Sequence, residues 1–189
     1  MTVQRPENLS AHQALELLIQ GNQRYRSEAL REPGNLGERR RELVEGQRPF
    51  AAILTCSDSR VAPELVFDKR LGDLYVVRGA GHVIDDSVLG SLEFAALQLG
   101  VNLILVMGHK NCGAVKATVD DEDFDGPGTR SHVGMLIAAI RPALRQVLSE
   151  GDQDVLERTV RENARYVASE VRRSHPVFTA LQAAGLEVH

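Results

Sequence analysis

Two short segments hold the residues able to do chemistry: Cys56-Ser57-Asp58-Ser59-Arg60 and His109-Lys110-Asn111-Cys112. Two thiolates and one imidazole suit zinc, whose catalytic sites use three protein ligands and keep a fourth position open for water. A structural site would want four closed ligands, and only three strong donors are visible, so Cys56, His109 and Cys112 point to a metal that takes part in a reaction. The plainer alternative is two inert core cysteines and an unrelated histidine. His109 and Cys112 lie three positions apart and can meet one ion within a turn; Cys56 must arrive from elsewhere in the fold.

Asp58 and Arg60 admit two readings as well. At an exposed turn they are an ordinary ion pair of little energetic weight. Beside a metal, the arginine fork holds the carboxylate by charge-assisted hydrogen bonds, and the fixed carboxylate can accept a hydrogen bond from metal-bound water. Freed from Arg60, Asp58 lies close enough to Cys56 to become a ligand itself and close the fourth position. Gly113 follows Cys112 at an expected helix start, where its N–H can meet an anion.

These segments need a scaffold. Residues 51–55, 74–77 and 103–107 are short apolar runs that read as buried strands. Between them, Val88, Leu89, Leu92, Ala95, Ala96 and Leu99 recur at helical spacing over residues 87–99 and stop at Gly100, a natural C-terminal cap. Alternating apolar runs and helices indicate an α/β fold with a mainly parallel sheet flanked by helices. Ligands in such sheets bind beyond the carboxyl ends of the strands, where Cys56 and His109 are expected. Upstream, Ser10 and Gln13 form a capping-box pattern for a helix ending near Ala29. Residues 31–47 are charged and interrupted by Pro33, Gly34 and Gly37, so residues 1–47 read as a helical arm and 48–189 as the core with its C-terminal helices. Residues 120–130 hold five acidic residues, Gly126, Pro127 and Gly128, and read as a solvated loop. From His132 to Ala184 the chain reads as largely helical, broken near Pro176.

Bulk properties narrow the classes. The 189 residues fit one domain, and 43% apolar with 25% charged residues is an ordinary globular mixture. No apolar stretch approaches the roughly 20 residues of a membrane span. A net charge of -4 with dispersed basic residues argues against nucleic acid. The first ten residues lack the apolar core of a secretory signal, so a cytoplasmic location is expected, and two cysteines in that compartment do not suggest a disulfide.

The order CSDSR, V-x-P-E, GD-x-YVVR and GH-x-x-CGAV, spread over residues 47–115, resembles the β-class carbonic anhydrases. The resemblance implies a Rossmann-like core whose N-terminal helices wrap a second copy, giving a homodimer or a dimer-based tetramer. It implies one Zn2+ per chain on Cys56, His109 and Cys112, with Asp58 and Arg60 as the catalytic dyad. The implied reaction is reversible hydration of carbon dioxide to bicarbonate and a proton by zinc-bound hydroxide. Gln47 and Tyr75 match positions that shape the carbon dioxide pocket, often across the dimer interface.

Three features depart from the family pattern. His82 stands where asparagine is common; it reads as a packed histidine, with proton shuttling the alternative. The chain has no tryptophan, and Ile53 replaces the one that builds a secondary bicarbonate site in some bacterial members, although Arg78 is present. The family's usual final strand after residues 185–188 is not expected here. Other readings of the same residues are hydrolysis of COS or CS2, a non-catalytic zinc-binding oligomeric subunit, and, more weakly, cysteine redox chemistry.

Overall fold

The computed structural model describes residues 7–32, 34–121, 131–151 and 153–189. Four parallel strands form one sheet in the order β2-β1-β3-β4: β1 (Ala51–Cys56), β2 (Leu74–Gly79), β3 (Leu103–Met107) and β4 (Glu187–Val188). All six residues of β1 are buried, which is why this strand reads as an uninterrupted apolar run. Its side chains alternate between two cores. Ala51 and Ile53 pack with Leu103, Phe67 and Leu74 under the helix α1 (Ala11–Arg26), which contributes Ala11, Ala14 and Leu18. Ala52 and Leu54 face the other way, toward α4 (Asp86–Gln98), α7 (Val155–Arg173) and α8 (Val177–Ala183).

The capping box at Ser10 and Gln13 is present. Helix α1 ends three residues before the expected Ala29, because Ser27 caps it through its backbone N–H and its hydroxyl bonds to Gln23 O, after which Glu28 turns with φ +57°. Gly21 lets α1 approach the end of α3 (Pro63–Val66): a Cβ there would lie 1.7 Å from the Phe67 carbonyl oxygen. After α1, the described arm residues form α2 (Leu36–Glu42) and one 3-10 turn (Leu43–Glu45). Helix α4 begins one residue earlier than read, because Asp85 caps it by accepting from Val88 N. The helical reading of the C-terminal part resolves into α6 (His132–Ser149), α7 and α8. Most of the 120–130 segment lies outside the described residues; Asp120 is the C-cap of α5 (Gly113–Val119). Glu187 and Val188 pair with β3 as a short edge strand that the sequence reading did not assign. Among the described residues, no helix is long and apolar enough to cross a membrane.

Candidate metal centre

The sheet register creates the centre. Strands β1 and β3 are parallel neighbours with Thr55 opposite Met107, so the segments that follow them leave the same edge side by side. Cys56 ends β1, His109 stands two residues beyond β3, and Cys112 is the N-cap of α5. Asn111 takes φ +53°, turning the chain back so that Cys112 returns toward the strand ends. The donor atoms of Cys56, His109 and Cys112 all lie within 4.8 Å of one another, and this trio is the one such group among the described residues. The two sulfurs are 3.9 Å apart, and both cysteines are buried.

The chemistry of this donor set fits a metal ion. His109 Nδ1 lies 3.0 Å from Lys110 O and therefore carries the proton it donates, which leaves Nε2 as a lone-pair donor. That Nε2 is buried and has no hydrogen-bond partner, so its lone pair is available to an ion. The Gly81 backbone N–H donates to the Cys56 sulfur at 3.3 Å. The two thiols interact strongly. The contact between the sulfurs lowers the pKa of Cys56 and raises that of Cys112, so the pair gives one thiolate while sharing a proton.

Asp58 is held by a complete fork. Arg60 Nε donates to Oδ1 at 2.9 Å, Nη2 to Oδ2 at 2.8 Å, and the Arg60 backbone N–H adds a bond to Oδ1 at 3.0 Å. These bonds keep the Asp58 carboxyl well below the usual carboxylate range. Arg60 Nη2 also reaches Asn111 O at 3.3 Å, tying the first segment to the second. Asp58 Oδ2 lies 3.9 Å from His109 Nε2. Here the carboxylate is turned to Arg60 and lies outside the three-donor group.

The other singled-out residues are placed differently. Gly113 opens α5, is exposed, and has no atom near where a Cβ would be. Tyr75 is paired with Ala52, four residues upstream of the Cys56–Gly79 pair, about 13 Å along the strand from the centre. Its ring packs against Phe94 with centroids 6.3 Å apart. Gln47 is exposed and lines a groove with Arg39, Leu43 and Arg48. Neither Gln47 nor Tyr75 is brought to the three donors of its own chain. Ile53 is fully buried in the core beneath α1. His82 is 1% exposed, and burial lowers its pKa to about 4, which is the packed reading of this histidine.

Two residues have roles that the sequence does not announce. Arg78 Nε donates to Cys56 O at 3.0 Å and Nη2 to Asp58 O at 2.7 Å, clamping the backbone that carries both residues. Its place at the end of a strand, level with Thr55, was the available signal. Asn163 on α7 donates to Gly81 O at 2.9 Å and touches His82 Nε2 at 3.0 Å, and no sequence signal marked it.

A family model described as carbonic anhydrase matches residues 51–189. A carbonic anhydrase of Mycolicibacterium smegmatis is 45% identical over 131 residues, which cover 69% of this chain and 63% of that protein. Carbonic anhydrase 2 of Mycobacterium tuberculosis is 42% identical over 143 residues, covering 74% of this chain and 69% of that one. The match thus spans about two thirds of the length of these relatives. Among solved structures, the Coccomyxa beta-carbonic anhydrase in complex with acetazolamide superposes with a TM-score of 0.72 at 25% identity, over 92% of this chain and 78% of that one. A structure described as one of two tetrameric beta-carbonic anhydrases from Sordaria macrospora shares the fold, with a TM-score of 0.67 at 21% identity over 94% of this chain and 90% of that one.

Proposed function

The chain belongs to the carbonic anhydrase family, in its β class, and from that premise we propose that it catalyses reversible hydration of carbon dioxide to bicarbonate and a proton, with one zinc ion per chain. One observation carries the proposal: three donors of zinc type converge beside a carboxylate that an arginine fork holds in place. Cys56, His109 and Cys112 would hold the ion. Zinc, when bound, supplies a Lewis acid that brings the ionisation of water close to neutral pH.

The chain's own residues supply the orientation. Each Asp58 oxygen has two acceptor positions. Oδ1 spends both on the Arg60 N–H and Nε, whereas Oδ2 accepts one bond, from Nη2, and keeps one lone pair free on the atom nearer His109. Oδ2 is therefore the acceptor for a proton-side hydrogen bond from the nucleophilic water. With its pKa held so low, Asp58 cannot retain the proton at neutral pH, so it orients the nucleophile and the proton leaves by another route.

The proposal extends to assembly. Gln47 and Tyr75 do not meet their own chain's centre, and Leu36, Val44, Leu65 and Leu71 are exposed on and around the arm. Both facts support a homodimer, or a tetramer built from it, in which each copy lends pocket residues to the other. Reduced thiol ligands suit the cytoplasm. Stopped-flow carbon dioxide hydration by the zinc-loaded protein, from pH 6 to about 9, brackets the expected ionisation and tests the proposal. A folded, zinc-containing sample without activity at any of these pH values would overturn it.

A further inference from the structure

We infer that Asn163 is a positioning residue for the metal centre: its side-chain amide fixes the turn at Gly81 and His82 so that the Gly81 N–H is held against the Cys56 sulfur. The inference rests on the metal reading proposed above, and it concerns a residue outside the ligands and the Asp58–Arg60 pair.

Asn163 is fully buried on α7 with its Oδ1 unpartnered, and burial of such an amide is costly unless at least its hydrogens find acceptors. Both do. Gly81 O can only accept, so the group facing it at 2.9 Å is the Asn163 NH2. The second hydrogen meets His82 Nε2 at 3.0 Å, and because an amide NH2 can only donate, that nitrogen is the lone-pair acceptor. One side chain thus grips two successive residues.

Those residues need a grip. Gly81 takes φ +65° and His82 φ +45°, two left-handed residues in a row, a conformation that costs roughly 1 kcal/mol or more for a residue with a Cβ and is kept only under outside restraint. The ceiling of the turn is already full: a Cβ on Gly81 would stand 2.7 Å from Ile140 Cδ1 and 3.1 Å from Ala114 Cβ. What the turn delivers is the Gly81 N–H at 3.3 Å from Cys56 Sγ. An N–H aimed at a thiolate stabilises its charge and fixes its direction, and partners behind a metal ligand of this kind are worth 10- to 100-fold in metal affinity. Asn163 therefore acts on Cys56 through the Gly81 backbone, without touching the sulfur.

The test compares the full-length parent with Asn163→Ala, Asn163→Leu and Thr159→Val. Leucine keeps nearly the shape of asparagine and guards against a variant that fails to fold. Thr159 is equally buried one turn earlier on α7, and its hydroxyl has no hydrogen-bond partner, so Thr159→Val reports general damage to the helix. Zinc affinity is measured by chelator competition, and the thiolate-to-cobalt absorption band is recorded on the Co(II)-substituted proteins. Both Asn163 variants should bind zinc 10- to 100-fold more weakly and show a displaced band, with Thr159→Val unchanged in both. Parent-like affinity and band in the Asn163 variants overturn the inference, as does an equal loss in Thr159→Val. A folded parent that binds neither metal overturns the metal reading and this inference together; a parent that binds while the Asn163 variants bind equally well overturns this inference alone.

Discussion

Replacing Arg60 with alanine should separate stability from turnover. The guanidinium is 60% exposed, so solvent screening leaves the ion pair with Asp58 little weight in folding. The melting temperature should therefore move little. Catalysis should suffer far more. Arg60 supplies two of the three hydrogen bonds to the carboxylate through its side chain, and with them the direction in which the free lone pair of Oδ2 faces. Only the bond from the Arg60 backbone N–H to Oδ1 would survive, leaving the group to rotate about its side-chain torsions. A misplacement of 1 Å in a reacting arrangement costs on the order of 100-fold, or about 2.7 kcal/mol of transition-state stabilisation. Zinc content by elemental analysis should stay near one equivalent, because Arg60 donates no ligand. Stopped-flow hydration measured beside a thermal melt gives both numbers on one sample. If kcat stays within threefold of the parent, Asp58 needs no fork, and the orienting role argued for Oδ2 is wrong.

Cys112→Ala should remove stoichiometric zinc and activity together, and equilibrium dialysis that still finds one equivalent would refute the ligand assignment. Arg78→Met removes two hydrogen bonds to the Cys56 and Asp58 carbonyls at the solvent-facing end of the sheet, each worth about 1 kcal/mol net. A Tm lower by roughly 4–8 °C is expected. A Tm within 1 °C of the parent would show the clamp to be idle. His82 gives a pH signature. Its pKa is lowered from 6.5 to about 4, so the unfolded chain takes up this proton first, and stability is lost as pH falls through that window and levels off below it. The shift corresponds to about 3 kcal/mol at most. Denaturant titrations between pH 7 and 4.5 should show a shallower decline in His82→Gln, and identical slopes would refute the buried neutral histidine.

The centre was legible because its parts are local. Each segment follows a strand that is apolar throughout, and a parallel sheet puts such segments on one edge, so Cys56, His109 and Cys112 could be grouped before any coordinates. The strands were legible for the same reason: β1 is buried on both faces. β4 was not, since two residues show no periodicity and its pairing depends on where the chain returns after α8. Asn163 was out of reach in a different way. An asparagine within a long helix is unremarkable, and its use follows from which face of α7 meets the turn after β2. For Gln47 and Tyr75 the difficulty is that their surroundings within one chain hold none of the three donors. In sequence, Arg78 suggests only part of an anion site whose tryptophan is absent, whereas its guanidinium serves the backbone of the Cys56 segment.

Strand β2 contributes no donor to the centre, yet its carboxyl end and the turn that follows touch it three ways: Gly79 O accepts from Ser57 N, Arg78 spans two carbonyls, and Gly81 donates to Cys56. The strand works as an adjusting screw beside a fixed set of jaws. An engineer wishing to alter the electron density on one sulfur, or the preference for one ion over another, can leave Cys56, His109 and Cys112 untouched and work from the neighbouring strand. Variation between related enzymes that share identical ligands has the same place to act.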